Sequence, residues 1–199
     1  MDTKNSRKEI FRFIVLIPHR DAARFLKEYR RRLFSSGFCG ALSLPAAAPL
    51  AQVSASFSAA ELKELAGNLR ALAPANSGKN CGKIRSSGTA FASCPGGLCP
   101  SDSDMAFYGL PLDLPLEKSV FPETAWEKTL TIISPPLLWA ALIDRRLLSG
   151  GEKPVCGEAP ALSFRAAALA NLAIRRLDAG EKAYSFEWKL SPPVWLPRK

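Results

Sequence analysis

The sequence predicts an α+β fold, with helices packed on antiparallel sheets. Three observations carry that reading. A run of β-branched and aromatic residues at the start is followed at once by an amphipathic helix pattern. A second helix opens on a capping box directly after a short extended stretch. A strict alternation of apolar and polar residues near the C-terminus closes the chain.

The first element is Glu9 to Pro18, EIFRFIVLIP, which reads as a buried strand ended by its proline. In DAARFLKEYRRRLFSSG, Phe25, Leu26, Tyr29 and Leu33 recur at helical spacing and Gly37 provides the stop. Arg30, Arg31 and Arg32 are expected to fan over the exposed side of that helix. FCGALSL is a second strand, PAAAP a bend, and residues 50–57 a third strand with Gln52 and Ser54 on one face. Ser58-Ala-Ala-Glu61 forms a capping box, and Leu62, Leu65, Ala66, Leu69 and Leu72 trace one apolar stripe behind it.

Between residues 75 and 104 Gly, Ser, Asn and Pro dominate, which predicts a mobile insertion in a single domain spanning residues 1–199. GKIRSSGTAFA inside it is a candidate strand. MAFYGLPLDLPL reads as an edge strand interrupted by prolines. PETAWEKTLTII holds a short helix or turn. PPLLWAALIDRRLL fits either a strand or a helix, and its length and alanine content lean helical; Ser163 to Leu177 poses the same alternative. AYSFEWKL is a strand, and SPPVWLPRK an extended tail pinned to the core by Trp195 and Leu196.

Composition narrows the function classes. Hydrophobic residues make up 47% of the 199 residues, enough for a packed interior, yet no apolar stretch is long enough to span a membrane. The polar N-terminus lacks a secretory signal, so a soluble, cytoplasmic protein is expected. The net charge of +9 favours polyanions such as RNA. Five cysteines, an odd count, argue against a disulfide framework. Cys81, Cys94 and Cys99 lack a second close pair and a nearby histidine, so reduced, unliganded thiols are expected and no metal.

No Walker loop, dinucleotide fingerprint or His-Glu-x-x-His helix occurs, and no cofactor is implied. A Ser-His-Asp triad would have to use His19, and no nucleophile elbow accompanies it. Asp102 and Asp104 lie in a polar loop and stay solvated. Arg165, Arg175 and Arg176 flank an alanine-rich run. In a strand, the even offset would place Arg165 and Arg175 on one face, where they could clamp a phosphate.

The N-terminal half resembles the two-histidine phosphoesterase group, which includes 2'-5' RNA ligase-like and cyclic phosphodiesterase-like proteins. FRFIVLIP, the helix with Tyr29 and Arg30, and the strand QVSASF before a helix carry the resemblance. The family strand reads His-x-Thr/Ser-apolar-x-Phe. Here it reads Gln52, Val53, Ser54, Ala55, Ser56, Phe57: serine and phenylalanine match, and the histidine does not. The second motif aligns with SPPLLWAALI, placing Leu137 and Trp139 where the family has histidine and threonine. The resemblance implies two similar lobes around a pseudo-twofold cleft. Family chemistry needs one imidazole as base and another as acid, and this chain has one histidine in all.

The expectation is therefore a degenerate member with no catalytic residues. Gln52, Ser54, Arg165 and Arg175 would bind a nucleotide, an RNA end or a protein partner in the retained cleft. The alternatives are an enzyme using cysteine or carboxylate chemistry, and an interaction domain without a ligand.

Overall fold

The architecture comes from a computed structural model, which describes residues 8–37, 44–72, 83–84, 90–93, 105–112, 114, 116, 120–123, 130–133, 136–144, 162–176 and 184–196. Among the described residues, two helices and ten strands follow in the order β1 (Lys8–Pro18), α1 (Arg20–Ser35), β2 (Ala48–Val53), α2 (Ala59–Leu72), β3 (Lys83–Ile84), β4 (Ala90–Ser93), β5 (Met105–Pro111), β6 (Thr131–Ile132), β7 (Leu137–Asp144), β8 (Leu162–Arg176), β9 (Tyr184–Leu190) and β10 (Val194–Trp195). Every pairing is antiparallel. The fold is α+β, as the element order predicts. No helix among the described residues is long and apolar enough to cross a membrane.

β1 lies between β8 and β2 in a seven-stranded sheet, while β4, β5 and β7 form a three-stranded one. The two meet at β2 and β7, where the Trp139 N–H donates to the Ala47 carbonyl at 3.3 Å. A central strand covered on both faces needs apolar residues without interruption. Phe13, Ile14, Val15 and Leu16 are accordingly all buried.

Both helices pack on one face. Leu26, Tyr29 and Leu33 of α1 and Leu62, Leu65 and Leu69 of α2 join Ile14, Leu16, Leu50 and Leu169 in one cluster. The opposite face collects Phe13, Val15, Phe107, Leu137, Trp139, Ala168, Ala170 and Leu172, with Trp188 against them. This second face is concave. From β9 to β7 is four strand spacings, about 19 Å in a flat sheet, yet the Trp188 and Trp139 rings lie 5.2 Å apart.

The residues between 49 and 57 differ from the sequence expectation. The strand ends at Val53, and residues 54–57 form a turn closed by the Phe57 N–H on the Ser54 carbonyl at 3.2 Å. Arg12 explains the break: its guanidinium reaches across from β1 and donates to the carbonyls of Ala55 and Phe57. Phe57 and Leu62 bury together at the entry of α2, a hydrophobic staple around the Ser58 cap. The capping box forms as predicted, with the Glu61 carboxylate accepting from the Ser58 N–H and hydroxyl at 2.7 Å each.

Other expectations also change. β7 and β8 are both strands, which settles the strand-or-helix alternative and goes against the helical leaning of PPLLWAALIDRRLL. β8 pairs with β1 on one side and β9 and β10 on the other, so Ala166, Ala167, Ala168, Ala170 and Ala173 are floor positions of a sheet covered on both faces. Burial there overrides the helix preference of alanine. β5 is central in its sheet, with its proline at the strand end. Trp195 stands 62% exposed, and Val194 and Leu196 pin the tail. The FCGALSL strand falls on residues 38–43, outside the described residues apart from Leu44. Of the insertion 75–104, β3 and β4 are described, at the edges of β8 and β5.

Candidate functional site

Gln52 sits half-buried on β2, in register with Phe13 of β1 on one side and exposed Thr131 of β6 on the other. Phe13 belongs to the concave cluster, so Gln52 shares that face. Its amide has no hydrogen-bond partner among the described residues. An amide both donates and accepts hydrogen bonds, and this one stands at the rim of an aromatic wall. Ser54 comes just after the strand, partly exposed, with its hydroxyl 2.7 Å from that of Ser56. The Ser54 hydroxyl thus lies in the turn that follows the strand of Gln52, where strand alternation no longer sets its direction.

Arg12 holds this turn in place. Besides the two carbonyls, its Nε donates to the Asn171 side chain of β8 at 3.1 Å. One guanidinium thereby ties β1, β8 and the Ser-rich turn together. The sequence signal for it is a lone cation inside FRFIVLIP, two residues before Ile14 on the helix-bearing face.

Leu137 and Trp139, at the aligned second motif, do lie on the concave face, and both are fully buried. The Trp139 ring stacks on Phe107 at 4.0 Å and meets Phe13 and Trp188 edge-on. The indole N–H groups of Trp139 and Trp188 have no acceptor among the described residues. An apolar plug therefore occupies this stretch of β7.

His19, the chain's one imidazole, is the exposed N-cap residue of α1. It lies six residues beyond Phe13, about 20 Å from the level of Gln52. It is out of reach of any acid–base partnership with that position.

Arg165 and Arg175 stand near opposite ends of β8. Ten strand residues span about 33 Å, too far to clamp one phosphate. A bulge also inserts Arg165 as an extra residue opposite the Ile17–Pro18 step of β1. Even numbering across that bulge no longer means a shared face. Arg165 is exposed, its guanidinium carbon 5.5 Å from the centre of the Trp195 ring.

Arg30 departs most from expectation. It is buried at 7% exposure, not fanned outward, and donates to the carbonyls of Leu44, Pro45 and Trp139. Desolvation lowers its pKa to about 10, so it stays charged at neutral pH. Its spacing from Leu26 and Leu33 places it on the apolar stripe, which was the available signal. Arg31 and Arg32 are exposed, Arg31 in an ion pair with Glu28.

Among the described residues no three His, Cys, Asp or Glu side chains gather to hold a metal. Cys39, Cys81, Cys94, Cys99, Cys156, Asp102 and Asp104 all lie outside the described residues. Comparison of the chain with protein-family models, with curated proteins and with solved structures finds no match.

Proposed function

We propose that the chain is a catalytically degenerate relative of the two-histidine phosphoesterases, which binds a nucleotide or RNA end without turning it over. The observation that carries this reading is Gln52. A half-buried amide stands on the concave face where the family strand has its histidine, and the chain's one imidazole is about 20 Å away. An amide donates and accepts hydrogen bonds but does not exchange protons near neutral pH, so it suits binding and not acid–base catalysis.

The sheet arrangement supports a two-lobed, pseudo-twofold reading. β2 and β7 are the strands at which the two sheets meet, and each carries one aligned motif on the concave face. The second motif is occupied by Leu137 and Trp139. Ligand contact on this reading falls to the Gln52 side, where Ser54 contributes a hydroxyl. The positive net charge adds a salt-sensitive attraction for phosphate.

The test is calorimetric titration with nucleoside 2',3'-cyclic phosphates and 2'-5'-linked dinucleotides, followed by chromatography of the recovered ligand. Binding with intact ligand supports the proposal. Absence of binding, or efficient hydrolysis, refutes it.

A further inference from the structure

The tail strand β10 leaves one large aromatic residue in solvent. Trp195 is 62% exposed, beside the exposed Pro192 and Pro193. It pairs in register with Ala166, while Val194 pairs with Ala167 and turns toward the helix-bearing core. The bulge at Arg165 sets the partner. Phe164 belongs to the helix-side cluster, so Arg165 emerges on the other face, beside Trp195. The Leu196 N–H donates to the Arg165 carbonyl at 2.9 Å, which fixes the two backbones together.

The geometry points to this Arg165–Trp195 pair as a stacking platform for single-stranded RNA, with a base on the open indole and a phosphate on the guanidinium. A guanidinium that stacks uses its flat face and leaves its in-plane N–H donors free. Arg165 spends none of them on a hydrogen bond or ion pair among the described residues. Base stacking on an exposed aromatic tolerates any sequence, and a basic chain supplies the long-range attraction. This charge favours a polyanion over a neutral protein surface as the occupant.

The inference rests on the nucleotide-binding reading above but concerns a separate place. Arg165 lies five residues along β8 from Ala170, which is in register with Phe13 and Gln52, and two strands across from Gln52. That is about 19 Å. A mononucleotide cannot touch both places, so the platform belongs to a ligand several nucleotides long.

The experiment measures fluorescence anisotropy of a labelled oligouridylate of about ten nucleotides, at several salt concentrations from about 50 to 200 mM. Uridine 2',3'-cyclic phosphate serves as the short ligand. Trp195→Ala is expected to weaken oligonucleotide binding about tenfold or more and to leave the mononucleotide unaffected. Trp195→Phe retains most of the affinity, because the π face remains. Arg165→Ala lowers the salt slope by about one. Both side chains are exposed, and circular dichroism checks that the variants stay folded. Oligonucleotide binding indifferent to Trp195→Ala overturns the platform and leaves the Gln52 reading standing. Equal loss of mononucleotide and oligonucleotide binding also overturns it as a separate place. No binding of either ligand by the wild-type chain overturns both.

Discussion

Removing the guanidinium of Arg30, as in Arg30→Met, tests whether one buried cation joins α1 to both sheets. The side chain donates to the carbonyls of Leu44 and Pro45 at the entry to β2, and of Trp139 in β7. Methionine keeps much of the volume and strands three carbonyls, each worth about 1–3 kcal/mol when buried and unpaired. Against this stands the relief of burying a charge. Burial lowers the pKa to about 10, and that drop corresponds to about 3 kcal/mol. The balance is a net loss of about 3 kcal/mol, read as a lower denaturation midpoint in urea. Arg31→Ala, which breaks only an exposed pair with Glu28, is expected within about 0.5 kcal/mol of wild type. Above about pH 10 the unfolded chain holds more protons on this group than the folded one, until the ordinary guanidinium also titrates. Arg30 therefore raises stability as pH climbs through that window and contributes no pH dependence below about pH 9. An Arg30→Met protein as stable as wild type would refute the joining role.

Three further substitutions probe the frame of the site. Ser58→Ala removes the hydroxyl that accepts from the Glu61 N–H at 3.2 Å, and thermal denaturation should show a loss of about 1 kcal/mol. Gly109→Ala places a methyl 2.3 Å from the Leu138 carbonyl oxygen, beside the β5–β7 bulge, so the strands must separate. A loss of at least about 1–3 kcal/mol in chemical denaturation is expected. Trp139→Thr empties the centre of the Phe13–Phe107–Trp188 cluster and costs about 3–5 kcal/mol. For that reason Gln52→His combined with Leu137→His and Trp139→Thr should yield a destabilised protein and no phosphodiesterase, as calorimetry and an activity assay would show.

Local signals were legible in the sequence where one side of an element meets solvent. The stripe of α1 and the capping box of α2 each state a face and a boundary in neighbouring residues. β9 alternates, and its ends agree with the reading. β7 and β8 were harder, because both of their faces are covered and alternation disappears. The alanines of β8 look helical in isolation. Their cause is long-range: β8 is paired edge to edge with β1 and with β9 and β10, and its alanines fill both covered faces of that sheet.

Side-chain placement at the site followed the same division. The strand that carries Gln52 was readable, and the concave face of Gln52 follows from its register with Phe13. The Ser54 turn was not, since Arg12 lies more than 40 residues upstream. The pairing of Arg165 with Trp195 depends on a bulge that shifts alternation by one residue, and no local pattern announces it. Arg30 was misread because charge outweighed its position on the apolar stripe.

The central claim is binding without turnover at Gln52. The most direct measurement incubates the full chain with a nucleoside 2',3'-cyclic phosphate, quantifying bound ligand by calorimetry and recovered ligand by chromatography, in wild type and in Gln52→Ala and Ser54→Ala. The account predicts weak, salt-sensitive binding, intact ligand, and reduced affinity in both variants. Efficient turnover that survives Gln52→Ala and Ser54→Ala, or binding that ignores them, contradicts it.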